Sequence, residues 1–426
     1  MAPTKNISIS EYGYIGYGSS YEENTKYSSA KVSQDQFKEL EQFHKNNPDF
    51  FEYKNDHTLK TKGNYVGIIQ TKNLTLEILP KIYTINSNEK DSRDIFVKML
   101  LTIDNIPTAK DGTNADVDSA KMNIFEIFIK LFIKHIDELI RKGVKSDYVT
   151  VEDNLNYLKG KIQFSNHIRY NLAHKEKFYV EYDEYIEDRV ENRLLKTCIE
   201  FLLSKSTNFQ NQSALRQQLF FFDNVSYSTN IENDLSCIEY LHRGMEHYEL
   251  PLKFAKIFLQ NRSFTPIKGE NSSFSLLFQM NIIFERYIAK LLQEQPSILD
   301  LQTSMKKQYS LLKECDTNQK KIEIEPDYKM KINKKIVIGD AKWKLIEQDN
   351  QDMKISPNDV YQIYSYLHYF NSDTGIIFTP KLYEDEKKVA CYTFEAYKNI
   401  DTEKKLYICY VDLSKNEIAH NFKEIQ

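Results

Sequence analysis

Cysteine is scarce and dispersed. Cys198, Cys237, Cys315, Cys391 and Cys409 are five residues in 426, odd in number and without a C-x-x-C pair, which argues against a disulfide framework and a thiolate zinc site. No apolar run reaches the roughly 20 residues that a membrane helix needs; the greasiest stretch, Ile124 to Ile140, is interrupted by Glu126, Lys130, Lys134 and Asp137. The opening MAPTKNISIS lacks the apolar core of a secretory signal. Nine histidines never form H-x-x-x-H or H-E-x-x-H, which argues against a zinc hydrolase, and no G-x-S-x-G sets up a serine nucleophile. A G-x-x-x-x-G-K-[ST] loop is also missing, so the chain has no P-loop with which to hydrolyse nucleotide. Positive charge is not in excess either: 57 Lys and Arg against 61 Asp and Glu leave a net charge of −4, so any binding of DNA must come from local patches. There is no internal repeat and no low-complexity tract. These absences lead us to expect a soluble, cytoplasmic protein with no membrane partner.

What is present suggests three regions and a mixed, multidomain α+β or α/β architecture. Residues 1–110 read as β-rich: alternation in Tyr65-Val66-Gly67-Ile68-Ile69 and in Leu74 to Leu79, stopped by Pro80, predicts a hairpin turning at Thr71-Lys72-Asn73. The polar stretch from Pro107 to Ser119 reads as a loop or linker. Residues 111–245 read as helical. Apolar residues recur at helical spacing between Met122 and Arg141 and again from Asp188 to Leu203. A further helix is expected from Glu239 to Leu259, with Pro251 breaking or kinking it. Residues 246–426 carry the order helix (Leu276 to Gln293), strands (Lys321 to Tyr328 and Lys335 to Lys342), helix (Asn358 to Phe370), then strands near Gly375, Lys388 and Leu406. That order describes a mixed central sheet flanked by helices.

The chemistry concentrates in this last region. Glu325-Pro326-Asp327-Tyr328, a lysine-rich turn, and Ile336-Val337-Ile338-Gly339-Asp340-Ala341-Lys342-Trp343-Lys344 read as two neighbouring strands. Thirteen residues apart, Asp327 and Asp340 can lie side by side across a tight turn at Lys331 to Lys334. Two hard oxygen donors so placed would coordinate Mg²⁺ or Mn²⁺ beside a phosphodiester. Lys342, two residues past Asp340, points to the same face and can orient a water or neutralise a phosphate. Bare carboxylates flanked by Ile324, Ile336, Val337 and Ile338 are costly unless a metal or a lysine compensates. From Lys329 to Lys344 there are six lysines and one acid, either a basic patch for DNA or a solvated hairpin tip. Upstream, Glu285 interrupts an apolar helix and is either a third acid of the site or a solvent-facing residue. Downstream, Gln362 and Tyr366 share a helix face and can position a DNA strand or merely pack. Trp343 alternates to the opposite face, so it is expected in the core behind the site.

The pattern Pro326-Asp327, Asp340-Ala341-Lys342, with Glu285 before it and Gln362-x-x-x-Tyr366 after it, resembles the PD-(D/E)XK nuclease superfamily and its RecB-like branch. More narrowly the chain resembles the McrC family. The likeness also runs through Leu76-Glu77-Ile78-Leu79-Pro80-Lys81-Ile82, through Leu158-Lys159-Gly160-Lys161-Ile162 to His167-Ile168-Arg169, and through Tyr182-Asp183-Glu184-Tyr185 to Asp188 and Asn192-Arg193-Leu194-Leu195-Lys196. The first sixty residues carry none of these stretches. This resemblance implies a metal-dependent endodeoxyribonuclease whose ligands are Asp327, Asp340 and the carbonyl of Ala341, with Lys342 as catalytic lysine and Glu285 as a further acid. Gly160, Asp188, Asn192 and Arg193 would be structural. The resemblance implies a GTP-dependent, modification-dependent (type IV) restriction system, in which this chain cuts methylated or otherwise modified DNA and stimulates a hexameric McrB-like AAA+ GTPase. The β-rich residues 1–110 would be the docking element for that motor. Two other readings stay open: an adaptor that regulates a GTPase, with cutting secondary, and an autonomous RecB-like repair nuclease.

Overall fold

The computed structural model describes residues 5–24, 26–82, 89–103, 122–238, 244–260, 262–265, 273–303, 309–313, 320–344, 348–349, 352–353, 356–381, 389–395, 403–414 and 417–418. By compactness the chain divides into one unit of residues 1–115 together with 263–426, and a second of residues 116–262. The segments 1–110 and 246–426, read separately in the sequence, thus share one unit over most of their length. The expected linker from Pro107 to Ser119 lies outside the described residues.

In the first unit the expected hairpin forms between Tyr65–Gln70 and Leu74–Leu79. Lys5–Ser10 pairs parallel to the second of these strands, and Ser273–Gln279 pairs antiparallel to the first. Residues from the beginning and the middle of the sequence therefore complete one sheet. A smaller sheet orders Ser29–Lys31, Tyr14–Gly16, Thr58–Thr61 and Phe51–Asn55. Helix Gln34–Asn46 covers it, started by a capping box in which Ser33 and Gln36 satisfy each other's backbone N–H groups. Phe37, Leu40 and Phe43 of that helix bury against Ile9, Ile15, Phe51, Leu59 and Ile78. Two helices, Gln34–Asn46 and Glu89–Ile103, thus interrupt a region expected to be β-rich.

The rest of this unit is a mixed sheet ordered Ile298–Thr303, Tyr328–Ile332, Lys335–Ala341, Thr374–Pro380, Lys405–Asp412 and Val389–Thr393, with Glu417–Ile418 beside Lys405–Asp412. Its first three strands pair antiparallel, the next two pairings are parallel, and the last is antiparallel. Helices flank it on both faces, as expected. Strand alternation sends Ile338 and Ile377 to one face, where Ile363, Tyr366 and Leu367 of helix Pro357–Tyr369 meet them. On the other face Tyr328 packs against Phe378 and reaches helix Met280–Gln293. Gly339 lies between Tyr328, Met330 and Phe378, at about 3 Å from where a side chain would begin. The helix expected from Leu276 begins only at Met280, because Ser273–Gln279 is a strand. A short apolar run such as Phe-Ser-Leu-Leu-Phe fits either element by periodicity, and pairing with Tyr65–Gln70 decides for the strand.

The second unit packs helices Ile124–Lys142, Val190–Lys205, Phe209–Phe220, Ile231–Cys237 and Glu249–Gln260. The last of these corrects the expected helix from Glu239: it starts at Glu249, so Pro251 sits in its first turn, where a missing N–H breaks no helical bond. The unit is not purely helical. Asp147–Leu155 and Phe178–Ile186 form a nine-residue antiparallel pair, extended by Lys161–Ile162 and flanked by helix Phe164–Asn171. Asp147–Leu155 has no buried residue and Phe178–Ile186 only Val180, so the alternation of Phe178, Val180 and Tyr182 is too short to set the pair apart from its polar surroundings. Gly160 has φ +70°, and a Cβ there would fall 2.3 Å from the carbonyl oxygen of Glu181.

Inside the unit, the Glu126 carboxylate caps the turn before helix Phe209–Phe220, accepting from Ser206, Thr207, Asn208 and Asn211. Asn192 is fully buried and donates to the carbonyls of Lys145 and Glu187, while its own oxygen accepts from the Tyr248 hydroxyl at 2.7 Å. We expect Asn192→Ala to destabilise this unit by roughly 2–4 kcal/mol, since the buried Tyr248 hydroxyl and the part-buried carbonyls of Lys145 and Glu187 lose a partner at once. Urea unfolding followed by far-UV circular dichroism measures this; an unchanged midpoint contradicts it.

Candidate active site

The two strands that carry the acid pair join through a two-residue turn, Asn333-Lys334, both in the left-handed region at φ 50° and 65°. Such a turn fixes register. Tyr328 pairs with Gly339, and one step beyond that pair Asp327 comes opposite Asp340. The acids thus lie side by side at the end of the hairpin remote from the turn, as their spacing predicts. The lysine run divides between the two ends. Lys331, Lys334 and Lys335 are exposed around the turn, the solvated hairpin tip, whereas Lys342 and Lys344 belong to the acid end.

Asp340 is 1% exposed, and its Oδ2 lies 2.5 Å from Lys342 Nζ. No hydrogen bond of good alignment reaches that oxygen. Asp327 Oδ2 accepts from the backbone N–H of Ala341 at 2.6 Å. Burial first, then the negative charges of Asp340 and Glu285, push the Asp327 carboxyl up to about 8, against the smaller pull of the Ala341 N–H and Lys342. Burial likewise raises Asp340, with Lys342 as the main opposing influence. For Lys342, burial works against the charge, but Asp340 and then Asp327 and Asp359 outweigh it and hold the ammonium above the usual lysine range. The site is thus a desolvated pair of acids that disfavours two negative charges side by side, with one built-in cation.

Lys342 is also held from the other side. Its Nζ donates to Gln362 Oε1 at 2.9 Å, Gln362 Nε2 donates to the Tyr366 hydroxyl at 2.7 Å, and that hydroxyl donates to the carbonyl of Glu325 at 3.2 Å. Gln362 and Tyr366 lie one turn apart on helix Pro357–Tyr369. Tyr366 is buried, so its ring is no platform for a DNA strand; the pair forms a relay that ends on Lys342. Glu285 is half-buried on helix Met280–Gln293. Its charge acts on Asp327, and its backbone carbonyl accepts from the Tyr328 hydroxyl at 2.7 Å. Among the described residues no group of three or more His, Cys, Asp or Glu is placed to hold a metal ion, so the acids actually brought together are two.

Three residues of this neighbourhood received no role from the sequence. Asp359, in the first turn of helix Pro357–Tyr369, is buried and accepts from Lys344 Nζ at 2.8 Å. Glu11 and Lys81, both buried, surround Trp343. Trp343 is 3% exposed and packs on Phe284 with ring centroids 5.3 Å apart, in the core behind the acids as expected. Spacing offered no signal for Glu11 and Lys81, which lie more than 250 residues away from it in the chain.

A divalent cation fits the donor set: two hard carboxylates that repel each other, one with an oxygen lacking an aligned hydrogen bond, flanked by backbone at Ala341. The same repulsion makes a prediction without metal. Asp327→Asn keeps an acceptor for the Ala341 N–H and removes an acid whose ionisation the fold disfavours, so at pH 7 it should stabilise the metal-free protein by about 1 kcal/mol. Thermal unfolding in a chelator checks this, and a lowered melting temperature contradicts it.

Comparison with known proteins bears on this geometry. A family model described as "McrBC 5-methylcytosine restriction system component" matches residues 59–379. No curated protein matches the chain. Among solved structures, a chain of the refined half-complex from the tetradecameric assembly of Thermococcus gammatolerans McrB AAA+ hexamers with bound McrC aligns over 97% of this chain and 98% of its own length, at 20% identity and a TM-score of 0.70. A chain of the cryo-EM structure of the Thermococcus gammatolerans McrBC complex aligns over 68% of this chain and 88% of its own, at 22% identity and a TM-score of 0.50. At these identities the structural likeness establishes the fold. No helix among the described residues is long and apolar enough to cross a membrane.

Proposed function

The chain belongs to the McrBC family of restriction-system components, and on that footing we propose that it is the DNA-cutting subunit of a GTP-dependent, modification-dependent (type IV) restriction machine. The observation that carries the reading is the buried pair Asp327 and Asp340 with Lys342 in ion-pair contact. Two desolvated carboxylates beside a lysine are unfavourable as a mere packing arrangement and suited to phosphodiester hydrolysis.

Asp327, Asp340 and the carbonyl of Ala341 would hold Mg²⁺ or Mn²⁺, with Glu285 near enough to add negative charge. The chemistry supplied by that cation, when bound, is polarisation of the phosphoryl oxygens and a lowered pKa for a coordinated water. The protein's own groups do the rest. Lys342 carries a charge held in place by Asp340 and Gln362, which suits it to orient the attacking water and to neutralise the phosphate as charge builds on it. Water oxygen attacks phosphorus and gives up a proton to solvent, the bond to one bridging oxygen breaks, and the leaving oxygen takes a proton from solvent. Gln362 and Tyr366 bear on the substrate strand through Lys342, whose position they set.

The partner in this reading is a McrB-like AAA+ GTPase hexamer, because the chain lacks a P-loop of its own and a similar fold occurs in an assembly of McrB AAA+ hexamers with bound McrC. Docking of the motor falls to the surface of residues 1–110, and the substrate is DNA that is methylated or otherwise modified. The cytoplasm is where such a substrate and such a motor meet.

Asp327→Ala and Lys342→Ala should each lower cleavage by the complex at least about a hundredfold, as expected when a group that acts on the transition state is removed. Stimulation of the partner's GTP turnover should be unaffected. A gel assay on 5-methylcytosine-containing plasmid with Mg²⁺, read beside a GTPase assay, tests both halves. Undiminished cutting by the Asp327→Ala complex would refute the nuclease assignment.

A further inference from the structure

The strand that carries Asp340 ends at Ala341. Past that point Lys342 still donates its backbone N–H to the carbonyl of Phe378 at 2.9 Å, but Trp343 has left the regular ladder. Side chains fix its course instead. Lys81 Nζ donates to the Trp343 carbonyl and lies 5.2 Å from the centroid of its ring. Glu11 accepts from the indole Nε1 at 3.0 Å. Glu11 is in turn fastened by the backbone N–H groups of Lys81 at 2.7 Å and Asn64 at 2.8 Å. One residue is thus gripped at its backbone carbonyl and at its indole by two opposite charges contributed from residues 1–110.

Both charges are out of water: Glu11 is 0% exposed and Lys81 3%. Filling a core does not call for this, since apolar residues of the same volume do so without the desolvation cost of two ions. The element held is also the informative part. Trp343 adjoins Lys342, whose ammonium must stay between Asp340 and Gln362, and a displacement of about 1 Å at such a group can lower a rate a hundredfold.

We propose that Glu11 and Lys81 are positioning residues of the active site, which by fixing Trp343 at both ends set where Lys342 lies. The inference rests on the nuclease reading above. It gives residues 1–110 a second role, since the stretch Leu76 to Ile82, singled out in the sequence without a function, delivers Lys81 to the site.

The test uses the full chain in complex with its AAA+ GTPase, with GTP, Mg²⁺ and 5-methylcytosine-containing plasmid, under single-turnover conditions. Glu11→Gln/Lys81→Met removes both charges together, so no buried ion is left alone. It should cut at least about tenfold more slowly than wild type, with KM for DNA and stimulation of GTP turnover unchanged. Lys81→Arg, which keeps a buried donor, should recover cleavage to within about threefold of wild type. The single tryptophan gives an independent readout: time-resolved anisotropy of Trp343 should show a freer indole in the double variant than in wild type or Lys81→Arg. A folded double variant that cuts at the wild-type rate, or an indole as immobile as before, overturns the proposal. If the double variant does not fold, Glu11→Gln alone decides, with a slowed rate and a freer indole expected and wild-type behaviour overturning it. Asp340→Asn runs in parallel. Should it still cut, or should wild type not cut, the nuclease reading itself falls; should it be inactive while the Glu11 and Lys81 variants cut normally, only the positioning inference falls.

Discussion

Two carboxylates buried side by side, with one lysine between them and the rest of the protein, form the constraint on which the first unit is organised. Asp327 and Asp340 each lose solvation, and Asp327 is further burdened by the charge of Asp340. Such a pair persists only where surrounding structure over-determines it. The surroundings do so from several directions. The two-residue turn at Asn333-Lys334 sets the register that brings the acids opposite each other, the Ala341 N–H fastens Asp327, and Lys342 sits on Asp340. Helix Pro357–Tyr369 then holds Lys342 through Gln362, and Gln362 through Tyr366.

The C-terminal sheet and residues 1–110 fall into one unit, joined by the pairing of Ser273–Gln279 with Tyr65–Gln70 and again close to the acids. The Asp340 strand leaves the sheet just before Trp343, and that residue finds its hydrogen-bond partners in Glu11 and Lys81. A surface proposed for docking a motor is therefore continuous, through covalent chain and buried hydrogen bonds, with the strand that carries the acids. In the second unit the buried polar groups act more simply. Glu126 and Asn192 tie loops to helices, and Gly160 permits a close approach to strand Phe178–Ile186.

Much of the site was legible in the sequence because it is local. The acids lie thirteen residues apart in a hairpin, Lys342 follows Asp340 by two, and Gln362 and Tyr366 are spaced by one helical turn, so strand and helix periods alone bring them into register. What could not be read is what depends on distant partners. Glu11 and Lys81 reach Trp343 across more than 250 residues, and Tyr366, for which the helix spacing left DNA positioning and packing both open, is a buried anchor whose hydroxyl donates to the Glu325 carbonyl. In the fold, the helix at Met280 and the strands at Asp147 and Phe178 differ from the sequence expectation for opposite reasons. Ser273–Gln279 is apolar enough to imitate a helix, whereas the strand pair buries only Val180 and so carries a weak alternation.

The central claim is that Asp327 and Asp340 hold a divalent cation beside Lys342. Crystals of the protein soaked in Mn²⁺ and measured at the manganese edge test it most directly. The account predicts an anomalous peak within coordination distance, about 2.0–2.3 Å, of oxygens from both carboxylates and the Ala341 carbonyl. A crystal that takes up manganese elsewhere, with Asp327 and Asp340 left in contact only with protein, would contradict it.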